Sequence, residues 1–274
     1  MKSIENLTKQ IITDSNKLKT INNLNFIYSC IDLTNLNSYA KNSDIEELCK
    51  NASKQKYKDI EIPEMAAVCT YSTYMPLCKE LLEDSKVKVA TVSAAFPSGQ
   101  SYSDVKYLET ELAVEHGAEE IDIVMNGSSF LNGDESLVFD EIKTIKQICK
   151  NICFKVILET GLLKTESLIK EASLMALEAG ADFIKTSTGK DGSYASYEAA
   201  LIMCQAIKEF ENKTRAKRGF KAAGGIATSD EAIGYFAIAK ELLGDDYLIP
   251  SRFRIGASKL AGNLLEDMII YESK

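Results

Sequence analysis

Short runs of apolar, often β-branched residues recur along this chain, separated by longer stretches whose apolar residues return every three or four positions. The runs predict strands near 26–34, 66–71, 87–96, 120–126, 154–160, 182–188, 219–224 and 252–256. They read as continuously apolar, as strands covered on both faces should. The segments between them have helical spacing. In 165–179, Leu168, Ala172, Met175, Ala176 and Ala179 fall on one face and Gly180 follows as a stop. Thr228-Ser229-Asp230-Glu231 has the spacing of a capping box ahead of Ala232 and Ile233. Gly117 and Gly244 are further terminators, and His116 beside Gly117 reads as a cation at a helix C-terminus.

Eight strand-plus-helix units in 274 residues predict an α/β protein, a (β/α)8 TIM barrel. The barrel is expected over 26–265 of a single domain spanning 1–274, with residues 1–25 as a short helical N-terminal extension.

Composition narrows the chemistry. Apolar residues make up 45% and charged residues 26%, ordinary for a globular chain. A formal net charge of −8 argues against a nucleic-acid partner, while leaving room for a local basic pocket that takes a small anion. No apolar run approaches a membrane span, and the N-terminus lacks a signal-peptide pattern, so a soluble protein with no membrane partner is expected. Seven scattered cysteines without a C-x-x-C pair fit a reducing compartment and a cytoplasmic location. One histidine and no paired cysteines cannot build a usual catalytic zinc site, so no metal is expected; no cofactor is expected either.

Active sites of β/α barrels lie at the C-terminal ends of the strands. Polar or charged residues interrupt or end several apolar runs: Asp32, Thr34, Cys69, Asp122, Glu159, Lys185, Lys221 and Arg254. Lys185, flanked by Phe183 and Ile184, should lose solvation of its charged form, and a neutral amine can attack a carbonyl. Lys221 on the next strand would depress it further, and Asp122 could accept and return a proton, directly or through water. By spacing alone, a structural Lys–Asp network filling the barrel explains these residues somewhat better. Gly224-Gly225 after the seventh run and Gly256-Ala257-Ser258 after the eighth sit where barrels of this kind hold phosphate, with Gly189-Lys190 as a third side.

The stretches Ile31-Asp32-Leu33-Thr34, Ala66-Ala67-Val68-Cys69, Val89-Ala90-Thr91-Val92, Phe96-Pro97, Gly117-Ala118-Glu119-Glu120-Ile121-Asp122, Lys155-Val156-Ile157-Leu158-Glu159-Thr160-Gly161, Phe183-Ile184-Lys185-Thr186-Ser187-Thr188-Gly189-Lys190, Lys221-Ala222-Ala223-Gly224-Gly225 and Arg254-Ile255-Gly256-Ala257-Ser258 resemble the deoxyribose-phosphate aldolase family, in the family's order. The resemblance implies metal-free, reversible cleavage of 2-deoxy-D-ribose 5-phosphate into acetaldehyde and D-glyceraldehyde 3-phosphate. It makes Lys185 the Schiff-base lysine, Lys221 the second lysine that perturbs it, and Asp122 a member of the proton relay. Asp32, Thr34 and Cys69 would line the substrate site, and Gly189, Lys190, Gly224, Gly225 and Ser258 would surround the phosphate of a phosphosugar. A homodimer is among the assemblies the resemblance implies.

There are departures. Ala222 replaces a usual proline, Ser98-Gly99 replaces a common His-Gly, and Lys259 stands where many members have a second serine. Tyr271 lies near the C-terminus, where some members send a tyrosine into the site. Two other readings compete: a phosphosugar isomerase needing only the anion site and a carboxylate base, and a non-catalytic phosphosugar-binding barrel. Lys185, Lys221 and Asp122 together weigh against the latter, since a binder gains nothing from paired buried ammonium groups.

Overall fold

The computed structural model describes residues 3–53, 55–57, 60–190, 192 and 194–272. Eight parallel strands close into a barrel: β1 (Ile31–Thr34), β2 (Ala67–Tyr71), β3 (Lys88–Ser93), β4 (Glu120–Val124), β5 (Cys153–Ile157), β6 (Phe183–Lys185), β7 (Gly219–Ala223) and β8 (Phe253–Ala257). Each pairs with its sequence neighbours, and β8 closes on β1 through Asp32 opposite Gly256. The (β/α)8 expectation holds.

Alternation along the strands divides the core in two. Ile121 and Ile123 of β4, Phe154 and Val156 of β5, Phe220 and Ala222 of β7, and Phe253 and Ile255 of β8 join the apolar layer between sheet and helices. Successive side chains of a strand point to opposite faces, so Glu120, Asp122, Lys155, Lys221 and Arg254 are left for the barrel interior. These strands are therefore apolar on one face and charged on the other, a pattern that their uninterrupted reading concealed.

The outer helices include α1 (Ile4–Ser15), α2 (Ile21–Ser29), α3 (Asn42–Ala52), α4 (Met75–Leu81), α5 (Ser103–Glu115), α6 (Gly127–Leu131), α7 (Glu135–Cys149), α8 (Thr160–Leu163), α9 (Glu166–Glu178), α10 (Tyr197–Thr214), α11 (Ser229–Leu243) and α12 (Leu260–Glu272). The Thr228–Glu231 capping box forms as expected at α11. His116 follows α5, with its ring Nδ1 2.7 Å from the Leu112 carbonyl oxygen. Among the described residues no helix is long and apolar enough to cross a membrane.

Several boundaries differ from the expected ones, the sixth strand among them, which ends at Lys185 and not at residue 188. The first strand begins at Ile31, because Thr20 caps α2 by accepting from Asn23 N–H and α2 buries Leu24, Ile27 and Tyr28 as a helical face. The helical extension thus runs to Ser29; its residues 1 and 2 lie outside the described set. The third strand ends at Ser93, where Ala94 and Ala95 turn to φ 57° and 60°. The fifth ends at Ile157, and Glu159 takes φ 54° before α8. Chain that read as strand is spent on the loops over the C-terminal mouth. A short antiparallel pair, Gln55–Tyr57 with Ile60–Ile62, lies between α3 and β2 and was not foreseen.

Candidate active site

Lys185 ends β6, and its register partner on β7 is Lys221. Both Nζ groups donate to Asp122 Oδ2 at 2.8 Å, and Lys155 donates to Asp122 Oδ1 at 2.8 Å. Lys155 is also 2.6 Å from Glu120 Oε2. Lys221 donates to Asp32 as well, and Arg254 bridges Asp32 to both oxygens of Glu120. All seven side chains are buried.

The network holds four basic groups and three carboxylates. A charge left uncompensated in the interior is expensive, and the group that can neutralise does so. Burial lowers the pKa of Lys185; Asp122 opposes this and Lys221 adds to it, leaving a net depression. For Lys221 burial acts in the same sense, but Asp122 and Asp32 outweigh it and hold its pKa above the ordinary lysine value. Lys155 is likewise driven well up by Asp122 and Glu120 against burial. Burial would raise Asp122, yet the three lysines pull it well below the usual carboxylate range. Asp32 is lowered against burial by Arg254, then Lys221. Four basic groups against three carboxylates leave one cation in excess, and Lys185 is the lysine whose pKa is depressed.

Lys185 is also the lysine that can be reached. It keeps 4% of its surface exposed, against none for Lys155 and Lys221, and it lines a cleft of about 1060 Å³ at the C-terminal mouth. Thr34, Gly189, Lys190, Gly224, Gly225 and Ser258 share that cleft, so the expected phosphate residues converge. Thr34 Oγ1 donates to the Asp32 carbonyl at 2.8 Å. Asp32, Asp122, Lys221 and Cys69 lie beneath the floor, and burial followed by Asp122 pushes the Cys69 thiol up.

Loop contacts shape the rim. Gly224 and Gly225 have φ 97° and 80°, and a Cβ on Gly225 would sit 2.9 Å from the Tyr194 ring. Ala195 N–H donates to the Gly224 carbonyl at 3.1 Å. Thr188 N–H donates to both oxygens of Glu159 at 3.2 Å, so Glu159 anchors the loop after β6 from outside the strand. Tyr271 does not enter the cleft; its hydroxyl donates to the Lys19 carbonyl at 2.9 Å. Among the described residues no three His, Cys, Asp or Glu side chains gather as metal ligands would.

Lys155 and Glu120 were missed in the candidate set, and Arg254 was noted without a partner. The signal was a charged residue every second position facing one side: Glu120 and Asp122 on β4, with Lys155 opposite Asp122 in register.

A parallel barrel with a depressed lysine at the mouth among paired charges has the features a Schiff-base enzyme requires. The sequence profile of the DeoC/LacD family aldolases matches residues 26–236. A Caenorhabditis elegans protein provisionally named deoxyribose-phosphate aldolase is 41% identical over 257 residues, which cover 93% of this chain and 84% of that one. The crystal structure of deoxyribose phosphate aldolase from Aeropyrum pernix superposes with a TM-score of 0.74 at 25% identity, covering 95% of this chain and 97% of that one. A Coccidioides immitis protein, also provisionally named deoxyribose-phosphate aldolase, gives 0.76 at 27% identity over 97% and 98%. This chain belongs to the DeoC/LacD aldolase family.

Proposed function

We propose that the enzyme cleaves 2-deoxy-D-ribose 5-phosphate reversibly, with Lys185 as the covalent nucleophile. The observation that carries this reading is that Lys185 alone of the three central lysines combines a lowered pKa with access to the cleft. Its neutral amine adds to the C1 aldehyde of the open-chain sugar, and loss of water leaves an iminium. The 3-hydroxyl gives up its proton, the C2–C3 bond breaks, and its electron pair flows into the iminium to form an enamine. D-glyceraldehyde 3-phosphate departs. Protonation of the enamine at carbon and hydrolysis of the resulting iminium release acetaldehyde and restore the amine.

Asp122, 2.8 Å from Lys185 Nζ, is placed to exchange a proton with it through the addition and hydrolysis steps. Its depressed pKa makes it a weak acceptor, so its larger service is to aim the lysines. Lys221 stays charged and keeps Lys185 from protonating. Asp32 holds Lys221 and Arg254, Thr34 forms part of the wall beside the sugar, and Cys69 lies beneath the floor. Gly189, Gly224, Gly225 and Ser258 receive the phosphate, with Lys190 at the rim.

Incubation with acetaldehyde and borohydride, followed by peptide mapping, tests the mechanism. One stable adduct on the peptide carrying Lys185 is expected. Labelling spread over surface lysines, or none, would return the choice to an isomerase or a binding barrel.

A further inference from the structure

A second cavity lies at the end of the barrel opposite the cleft. Its volume is about 850 Å³, and it sits where β3 to β6 begin at Lys88, Glu120, Cys153 and Phe183, with Arg254 of β8 in its lining. The lining is basic in a chain that is acidic overall: Lys86, Lys88, Lys146, Lys150 and Arg254 stand against Glu64, Glu120 and Asp182. Three of the five cations are matched, Lys88 with Glu119 at 3.0 Å, Lys146 with Asp182 at 2.6 Å, and Arg254 with Asp32 and Glu120. Lys86, before β3, and Lys150, just after α7, are exposed and among the described residues have no carboxylate within ion-pair distance. Glu64 accepts from the Ser85 hydroxyl at 2.8 Å.

The floor holds a further donor. A guanidinium carries five N–H groups. In Arg254, Nε donates to the Pro250 carbonyl, Nη1 to Asp32 and Glu120, and Nη2 once to Glu120. The other Nη2 hydrogen has no partner among the described residues, although only 6% of the side chain is exposed. A buried donor without an acceptor is costly, and an anion in the cavity would supply one. One floor donor and two rim ammonium groups call for several acceptor oxygens on one small ligand, which a phosphoryl group carries and a single carboxylate does not.

We infer that this cavity binds a small phosphoryl anion between Arg254 and the rim lysines Lys86 and Lys150, and that its occupancy slows Schiff-base formation at Lys185. Arg254 links the two ends: it holds Asp32, and Asp32 holds Lys221 beside Lys185. A bound anion offsets part of the excess positive charge of the network, so Lys185 keeps its proton more readily and attacks less. The binding stands apart from the aldolase reading; the effect on Lys185 rests on it.

Inorganic pyrophosphate is the probe, titrated calorimetrically into the wild-type protein and into Lys86→Gln with Lys150→Gln. The double variant should bind about ten-fold more weakly or lose one binding event, because charge-assisted contacts are removed. Lys9→Gln with Lys213→Gln, the same charge change on α1 and α10, should match wild type. Borohydride trapping of acetaldehyde, which carries no phosphate, reads the coupling. Pyrophosphate should slow trapping at least about two-fold more in wild type than in the Lys86→Gln, Lys150→Gln protein, since any pyrophosphate at the mouth affects both alike. Equal titrations of wild type and this double variant overturn the site, as does equal weakening in the control pair. Equal slowing overturns the coupling. A wild-type protein that binds pyrophosphate but traps no acetaldehyde strikes the aldolase reading and leaves the site standing.

Discussion

Lys185 on β6 reaches past β5 to Asp122 on β4, Nζ to Oδ2 at 2.8 Å, and shares that oxygen with a second lysine. The pair sits one cation in excess of balance, which makes the nucleophile available and costs the fold stability. Replacing Lys185 with Leu should abolish cleavage, by at least about 10³-fold, since among the described residues no other amine lies at the cleft floor. Asp122 keeps Lys155 and Lys221, so the fold should persist. A lysine with a depressed folded pKa binds fewer protons folded than unfolded, so its penalty is largest at neutral pH and fades as pH rises toward about 10. Lys185→Leu should therefore melt at or above the wild-type temperature near pH 7, with the difference narrowing in alkali. Substantial residual turnover would sink the covalent mechanism.

Without Lys221 the network would contain three basic groups and three carboxylates, balanced only when Lys185 is protonated. Lys221→Leu should therefore shift the pH profile of iminium trapping upward, so that more alkaline solution is needed for the same rate. Borohydride trapping rates across pH measure this. An unmoved profile would leave Lys221 as a packing residue.

Lys155 is fully buried between Glu120 and Asp122. Lys155→Met strands two carboxylates and should cost about 3–5 kcal/mol, which for a chain of this size lowers the melting temperature by roughly 10 °C. Adding Glu120→Gln should restore part of it. A melt within about 2 °C of wild type would show that the site relaxes around the loss.

Asp32 and Asp122 ionise more readily in the folded chain than unfolded. The unfolded chain therefore takes up more protons in acid. The stability they supply is present above about pH 4 and drains away as pH falls through their lower folded values. Thermal melts followed by circular dichroism should show a flat region near neutrality and a steep loss below about pH 4. Asp32→Asn should shallow that loss; an identical acid limb would assign the effect to other carboxylates.

Gly256 is a glycine because of what it faces. A Cβ there would lie 3.1 Å from Lys221 Cε and 3.0 Å from Ala223 Cβ. Gly256→Ala should push Lys221 aside and reduce kcat on the order of ten-fold or more, with little change in KM. Unaltered kcat would mean that Lys221 has room to yield.

Much of this was legible along the chain. Eight apolar runs separated by helical spacing specify a parallel barrel, because each strand must be covered and each crossover needs a helix. Lysines and aspartates inside apolar runs stand out because unpaired charge is excluded from a core, and glycines after the last two strands mark loops that line the cleft. These are local signals, carried by a residue and its immediate neighbours.

Pairing was decided in three dimensions. Lys155 sits 33 residues from Asp122, and Arg254 reaches Asp32 across 222. No local pattern tells which of three buried lysines loses its proton. That choice depends on how many carboxylates surround each one, and Lys155 and Lys221 each have more than Lys185. The sequence by itself determined the barrel and its reactive residue types; the closing of the sheet determined their charges, because Coulomb energy in a buried core depends on distances that only the tertiary structure sets.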